Sequence, residues 1–273
     1  MLDYDVEVIF FAEKTMQRRQ IDRALYFEEL AVTCRKYYIP YISRCKTILT
    51  GSNILEIGCG DGGNLLPFFE LGCRVTGVDV AACRIKDARK FFSERKASGS
   101  FILSDIFEFE PSGDKFDVII CHDVLEHIGQ KKLFLIKLKT LLADSGILFV
   151  SFPAWQMPFG GHQQICQSKL LSHFPFIHLL PVILYKNLLR VCREDKNTIR
   201  ELLAIKQTGC SIERFEKLIL QVGCKVVSRK FYFVNPHYEV KFSLRPRKLF
   251  PFVGNLPYLR NFFITSCFYI LKA

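Results

Sequence analysis

ILEIGCGDGG, residues 54–63, is an apolar run that breaks into glycines at 58, 60, 62 and 63 and is followed at once by the apolar stretch NLLPFFELG. A strand, a tight turn and a helix are predicted in that order. Gly58 and Gly60 let a backbone come close to a ligand, and the start of the following helix offers free N–H groups to an anion. Outward from this loop, NILEIG (53–58), RVTGVD (74–79), SFILSD (100–105), FDVIICH (116–122) and GILFVSF (146–152) alternate with amphipathic stretches such as AACRIKDARKFFSERKA and KKLFLIKLKTLLAD. Near-continuous apolar strands separated by helices specify a parallel sheet covered on both faces, so the fold class is α/β, doubly wound and Rossmann-like.

Four segments are expected. Residues 1–50 form a helical N-terminal segment covering the active site, with a helix expected over 21–49, where Ile21, Leu25, Phe27 or Glu28, Leu30, Cys34 and Tyr37 or Tyr38 recur at helical spacing and Pro40 kinks or ends the run. Residues 51–153 form the ligand-binding core. The rhythm stops after Pro153, and 154–206 reads as an insertion on the side of the sheet where ligands bind in such folds. Residues 207–273 carry a helix (211–222) and strands at 225–234 and 262–271 that complete the sheet.

The composition narrows the function classes. The chain has 273 residues, 49% hydrophobic, which suits a full globular core. Its eleven cysteines include no C-x-x-C pair, so neither a disulfide framework nor a zinc knuckle is expected, and a reducing, cytoplasmic setting fits. MLDYDVEVIF is acidic where a signal peptide is basic. The most apolar stretch, FPFIHLLPVILY (174–185), is interrupted by Pro175 and Pro181 and is shorter than a membrane span. A net charge of +11 favours anionic partners, and six Lys or Arg against Glu239 alone lie between Phe231 and the C-terminus. A solvated basic face is the simpler reading; peripheral contact with an anionic membrane is the other.

Two cofactors compete for the loop. Gly58, Gly60 and Gly63 satisfy G-x-G-x-x-G, and Asp79 lies 21 residues beyond Gly58, about where a nicotinamide dinucleotide fold keeps its ribose acid. Glu56 before the loop, Asp105 in SDI and the string FDVIICHDVLEHI separate the rivals. In this order they resemble the class I S-adenosylmethionine-dependent methyltransferases, in particular the branch whose fourth strand leads into L-E-H, with a core like that of ubiquinone O-methyltransferases. The resemblance covers 53–153 and implies a mostly parallel sheet whose last strand is antiparallel, with S-adenosylmethionine as cofactor. It also implies the cofactor residues: Gly58, Cys59, Gly60 and Gly62 around the methionine end, Glu56 near its amino group, and Asp79 and Val80 at the ribose. Asp105 and Ile106 then flank the adenine, and Cys121 and His122 approach the sulfonium. Asp79 suits its part, since an ionised carboxylate accepts from two hydroxyls at once.

Methyl transfer is an in-line displacement, so the protein mainly aligns an acceptor and excludes water, with a base only where the acceptor arrives protonated. His122, His127 and His162 are the candidate bases. If a helix begins at Asp123, then Asp123, Glu126 and His127 share one face. D-V-L-E-H resembles the acid-x-x-Glu-His motif with which ubiquinone-pathway O-methyltransferases and small-RNA 2′-O-methyltransferases hold a divalent cation such as Mg²⁺. His162 is then the added ligand. The competing and favoured reading makes Asp123 a helix cap with Glu126 in the first turn.

The insertion opens with SFPAWQMPFGGHQQ, so Trp155, Met157, His162 and Gln163 are expected in the acceptor pocket, or Trp155 packs the insertion down onto the core. The fourth strand ends CHDV, without the N/D-P-P-Y string of many nucleobase and amide N-methyltransferases. A small or lipid-linked acceptor, methylated on oxygen, is therefore expected over nucleic acid or nitrogen. A cofactor-binding module without catalysis and an aminopropyl transferase on the same sheet are the remaining alternatives, and the oligomeric state is left open.

Overall fold

The computed structural model describes residues 22–111 and 113–273, so the reading of MLDYDVEVIF and the start of the N-terminal helical segment lie outside the described residues. Eight strands form one sheet: β1 (Asn53–Ile57), β2 (Arg74–Asp79), β3 (Ser100–Leu103), β4 (Phe116–His122), β5 (Leu142–Phe152), β6 (Lys225–Val234), β7 (Arg247–Lys248) and β8 (Ser266–Lys272). Their order is β3-β2-β1-β4-β5-β8-β6-β7. The first five strands are parallel, and β8 is antiparallel between β5 and β6. It follows that β6 points the same way as β5. Its C-terminal end therefore reaches the edge where β1, β2, β4 and β5 also end.

The helices are α1 (Arg23–Thr33), α2 (Ile39–Ile42), α3 (Leu66–Glu70), α4 (Ala82–Glu94), α5 (Lys131–Leu141), α6 (Lys169–His173), α7 (Val182–Val191), α8 (Lys196–Thr208), α9 (Ile212–Gln221), α10 (His237–Phe242) and α11 (Pro251–Gly254). Successive strand residues point to opposite faces, and both faces are covered. Leu55, Ile119, Leu148, Val150 and Tyr269 pack with Phe134 and Leu138 of α5 and Phe215 of α9. Ile54, Val118, Ile120, Phe149 and Phe268 pack on the other side with Phe27 of α1, Phe68 of α3 and Phe92 of α4. This is why the strands read as unbroken apolar runs instead of alternating ones.

Pro40 does not end the N-terminal helix. Cys34–Tyr38 form a π turn in which the Ile39 N–H donates to the Cys34 carbonyl, and Pro40 then sits in the first turn of α2, where its missing N–H costs nothing. The helix stops at Ile42, short of the expected 49. The insertion is helical and has a small core of its own, with Cys166, Leu171, Ile177, Tyr185, Leu189 and Leu202 packed together. All eleven cysteines are free thiols. No helix among the described residues is long and apolar enough to cross a membrane.

Candidate functional site

A cavity of about 830 Å³ opens at the C-terminal edge of the sheet, where Asp79 ends β2 and Gly60, Asp123 and Pro153 follow β1, β4 and β5. The glycine loop is shaped by two close contacts. Gly58 has φ +64°, and a Cβ there would stand 2.4 Å from Cγ2 of Val124 in the loop after β4. At Gly63 a Cβ would stand 2.4 Å from the Phe27 carbonyl oxygen, so the last glycine of G-x-G-x-x-G makes room for α1. The helix that follows starts only at Leu66 and is a single turn and a half, not the longer one expected from NLLPFFELG.

Asp79 organises this wall. Its Oδ2 accepts from the Gly60 N–H at 2.9 Å and its Oδ1 from the Ala81 N–H at 2.8 Å. The remaining lone pairs are free to accept from a ligand. Glu56 is buried behind the loop; its Oε1 accepts from Asn64 Nδ2 at 2.7 Å, while Oε2 is buried without a partner. Burial pushes its carboxyl up to about 8, Asn64 pulling the other way and Asp79 adding to the rise. Asp61, with no exposed side chain, is ion-paired to Arg23 of α1 and lies 3.5 Å from Arg84 of α4, which ties both helices to the loop.

The other cofactor candidates fall as follows. Val80 lines the cavity, while Cys59 and Ile106 are buried in the two cores and Cys121 in β4. Asp105 lies beyond the end of β3, exposed, with Oδ1 accepting from the Phe107 N–H at 2.9 Å. His122 is covered: its Nε2 is 2.7 Å from the Tyr38 hydroxyl and 3.6 Å from Asp123 Oδ2.

No helix begins at Asp123. That residue has φ +52°, outside the helical region, only a 3₁₀ turn over Leu125–His127 follows, and α5 starts at Lys131. Neither the shared helical face nor the helix-capping role expected for Asp123 is therefore present. The cluster that forms is Glu126, His127 and His162, whose ligand atoms all lie within 4.8 Å of one another. The two imidazoles meet edge to face at 5.1 Å, and His162 Nε2 is 3.9 Å from Glu126 Oε1. Both Glu126 oxygens are buried with no hydrogen-bond partner. Burial raises the Glu126 carboxyl, and Asp123 adds to the rise. Burial also lowers His127, and with His127 beside it takes His162 down to about 4, so both rings are neutral at pH 7. Lys131, buried, holds this loop by donating to the carbonyls of Ile128 and of Thr208 at the end of α8.

Within the insertion, Met157, Phe159, His162 and Gln164 line the cavity. Gln163 does not: its Nε2 turns inward and donates to the Pro158 carbonyl at 2.8 Å. Trp155 packs the insertion down, its ring 4.7 Å from that of His178 and so close to Gly209 that a Cβ there would stand 2.3 Å from it.

Several lining residues gave no signal in the sequence: Arg23 and Tyr26 from α1, Glu201 from α8, and Asn235, His237 and Tyr238 just after β6, where Lys241 of the basic C-terminal group also lines the cavity. The direction of β6 brings this last group to the ligand edge. Contacts clasp α10 to α1: Thr33 Oγ1 lies 2.9 Å from His237 Nδ1, and Tyr37 and Lys36 both reach Glu239.

Comparison with known proteins places the site in a family. A family model described as a methyltransferase domain matches residues 48–206, more than half of the chain. A ubiquinone biosynthesis O-methyltransferase of Bartonella quintana is 32% identical over 117 residues, covering 41% of this chain and 47% of the relative. The chain thus spans about half the length of the curated relatives it matches. Among solved structures, an S-adenosylmethionine-dependent methyltransferase from Clostridium acetobutylicum superposes with TM-score 0.55 at 12% identity, over 88% of this chain and 90% of the other. The plantazolicin methyltransferase BpumL in complex with SAH gives 0.52 at 15% identity, over 96% and 93%. At these identities the structures attest the fold, while the match over 48–206 attests the family: the chain belongs to the class I S-adenosylmethionine-dependent methyltransferases.

Proposed function

We propose that this chain methylates an oxygen of a small-molecule or lipid-linked acceptor. The observation that carries the reading is the facing of two different walls across one cavity, Asp79 and the glycine loop on one side and His127 and His162 on the other. S-adenosylmethionine fits the first wall, because the buried, unpartnered Oε2 of Glu56 calls for a cation such as its amino group. When bound, it supplies a methyl carbon already activated by the sulfonium. The loop Gly58–Gly62 holds its methionine end, Asp79 and Val80 its ribose, and Asp105 and Ile106 its adenine. A neutral imidazole at His127 or His162 takes the proton of an acceptor hydroxyl, and α1 with α10 keeps water out. The O-methyltransferase names of the relatives support oxygen as the acceptor atom.

A divalent cation fits the second wall as well, because Glu126 has two buried, unpartnered oxygens beside two neutral imidazoles. With Asp123 outside the cluster, one carboxylate and two imidazoles suit Zn²⁺ or Mn²⁺ better than Mg²⁺, which demands oxygen ligands. Such an ion would lower the pKa of a bound acceptor hydroxyl.

The test of the reading is release of S-adenosylhomocysteine from S-adenosylmethionine in the presence of phenolic, catecholic and polyprenylated acceptors. Turnover with at least one oxygen acceptor is expected. Tight S-adenosylmethionine binding with no product from any acceptor would make the chain a binding module instead.

Glu56 adds a prediction about protons. Protein groups alone hold its carboxyl near 8, mostly neutral at pH 7, and a cation against Oε2 lowers that value. Cofactor binding at pH 7 should therefore expel close to one proton. Calorimetry in phosphate and in Tris should give different enthalpies, and Glu56→Gln should remove the difference. For stability the sign is the same: the unfolded carboxyl ionises near 4.5 and the folded one near 8, so the cofactor-free fold loses stability as pH rises through that window.

A further inference from the structure

Two segments far apart in sequence leave large apolar side chains in water and meet through an aromatic contact. Between 242 and 263, Phe250 is 79% exposed, Phe252 76% and Tyr258 69%. In the insertion, the first turn of α7 shows Ile183 at 74% and Leu184 at 56%, with Phe174 exposed beside it. Phe176 and Phe262, ring centroids 6.2 Å apart, join the two segments. Scattered exposed apolar residues are ordinary, but a connected group of aromatics is a docking surface.

The charge carried by these two stretches has one sign. Neither 174–191 nor 242–263 contains an Asp or Glu. Arg245, Arg247 and Lys248 are exposed and make no ion pair among the described residues. On the insertion side, Lys186 and Arg190 of α7 and Lys196 and Arg200 of α8 line a groove of about 650 Å³ together with Glu194, whose carboxylate accepts from the Gln167 and Ser168 N–H groups. The insertion that carries α7 and the stretch just before 242 also supply part of the ligand cavity's rim, through Phe159 and Ile165 on one side and Tyr238 and Lys241 on the other.

We infer that this surface docks on an anionic phospholipid bilayer, Phe250, Phe252 and Ile183 entering the acyl boundary and Arg245, Arg247 and Lys248 meeting lipid phosphates. Aromatic residues and cations together are what such an interface recognises, the first through buried area and the second through the negative surface potential. Docking in this way sets the cavity rim against the membrane, where an acceptor with a lipid tail resides.

Sedimentation with phosphatidylcholine vesicles, with and without phosphatidylglycerol, tests this with the full chain. Binding to the anionic vesicles is expected, weakened about tenfold by Phe250→Ser with Phe252→Ser, and by a similar factor by Arg245→Glu with Arg247→Glu. S-adenosylmethionine calorimetry on each variant checks that it folds. As a second measurement, Phe252→Trp should give an indole quenched by brominated acyl chains beyond the Trp155 background. Equal binding to neutral and anionic vesicles, none to either, or a dimer that the two Phe substitutions break apart would overturn the inference; the last would assign the surface to a second copy of the chain. Vesicle binding is read without any acceptor, so its failure leaves the methyl-transfer reading to its own test.

Discussion

Asp79→Ala should lower the affinity for S-adenosylmethionine by about 3 kcal/mol, more than a hundredfold. The carboxylate is placed to do two jobs at once. It holds the Gly60 and Ala81 N–H groups, which fixes the loop after β1 against the loop after β2, and it keeps lone pairs that, on the proposed reading, accept from the ribose hydroxyls. Alanine leaves the two amides and the two hydroxyls without their charged acceptor, and each hydrogen bond to a charged group contributes about 1.5–3 kcal/mol. Asp79→Asn keeps one acceptor oxygen but turns an N–H₂ toward a backbone N–H, so it should recover only part of the loss. Titration calorimetry with S-adenosylmethionine and S-adenosylhomocysteine measures both variants, and thermal unfolding separates a loosened loop from a failed fold. Unchanged affinity in Asp79→Ala would remove the ribose from this wall.

Asp79 and Glu56 were legible in the sequence because each is fixed by local order: one ends a strand, the other precedes a glycine loop on the adjacent strand. The parallel core was legible for a similar reason, since strands buried on both faces must be apolar at every position, and Ile119 and Ile120 serve opposite cores. What failed were readings that depended on one backbone angle. Asp123 in a left-handed conformation turns D-V-L-E-H out of a helix, and Asp123 leaves the cluster that periodicity assigned to it. Gln163 was expected in the pocket on proximity alone, yet its partner is Pro158, and of the two readings left open for Trp155 the structure takes the packing one, against Gly209 and His178. His237 and Tyr238 were invisible for another reason. They reach the cavity because β6 runs parallel to β5 with β8 between them, and that order of strands is not written in any local pattern.

Glu126→Gln should reduce turnover by a factor of about 10² or more, the usual scale for losing a group that acts on the acceptor proton. A carboxyl with both oxygens buried and unpartnered is costly unless something meets it, and the neighbours are His127 and His162. A cation held by all three satisfies the buried oxygens and uses the imidazoles in the neutral form that binds metal. Mn²⁺ serves as a probe that needs no turnover: its free-ion paramagnetic resonance signal should fall as one equivalent of protein is added. Glu126→Gln and His162→Ala should each weaken that binding by about tenfold or more, while His122→Ala, hydrogen-bonded to Tyr38 outside the cluster, should leave it alone. Exhaustive EDTA should stop turnover, and Mn²⁺ or Zn²⁺ should restore it. If instead EDTA changes nothing and the Mn²⁺ signal is untouched by the protein, Glu126 is a neutral buried acid, and proton transfer from the acceptor rests on His127 and His162 alone.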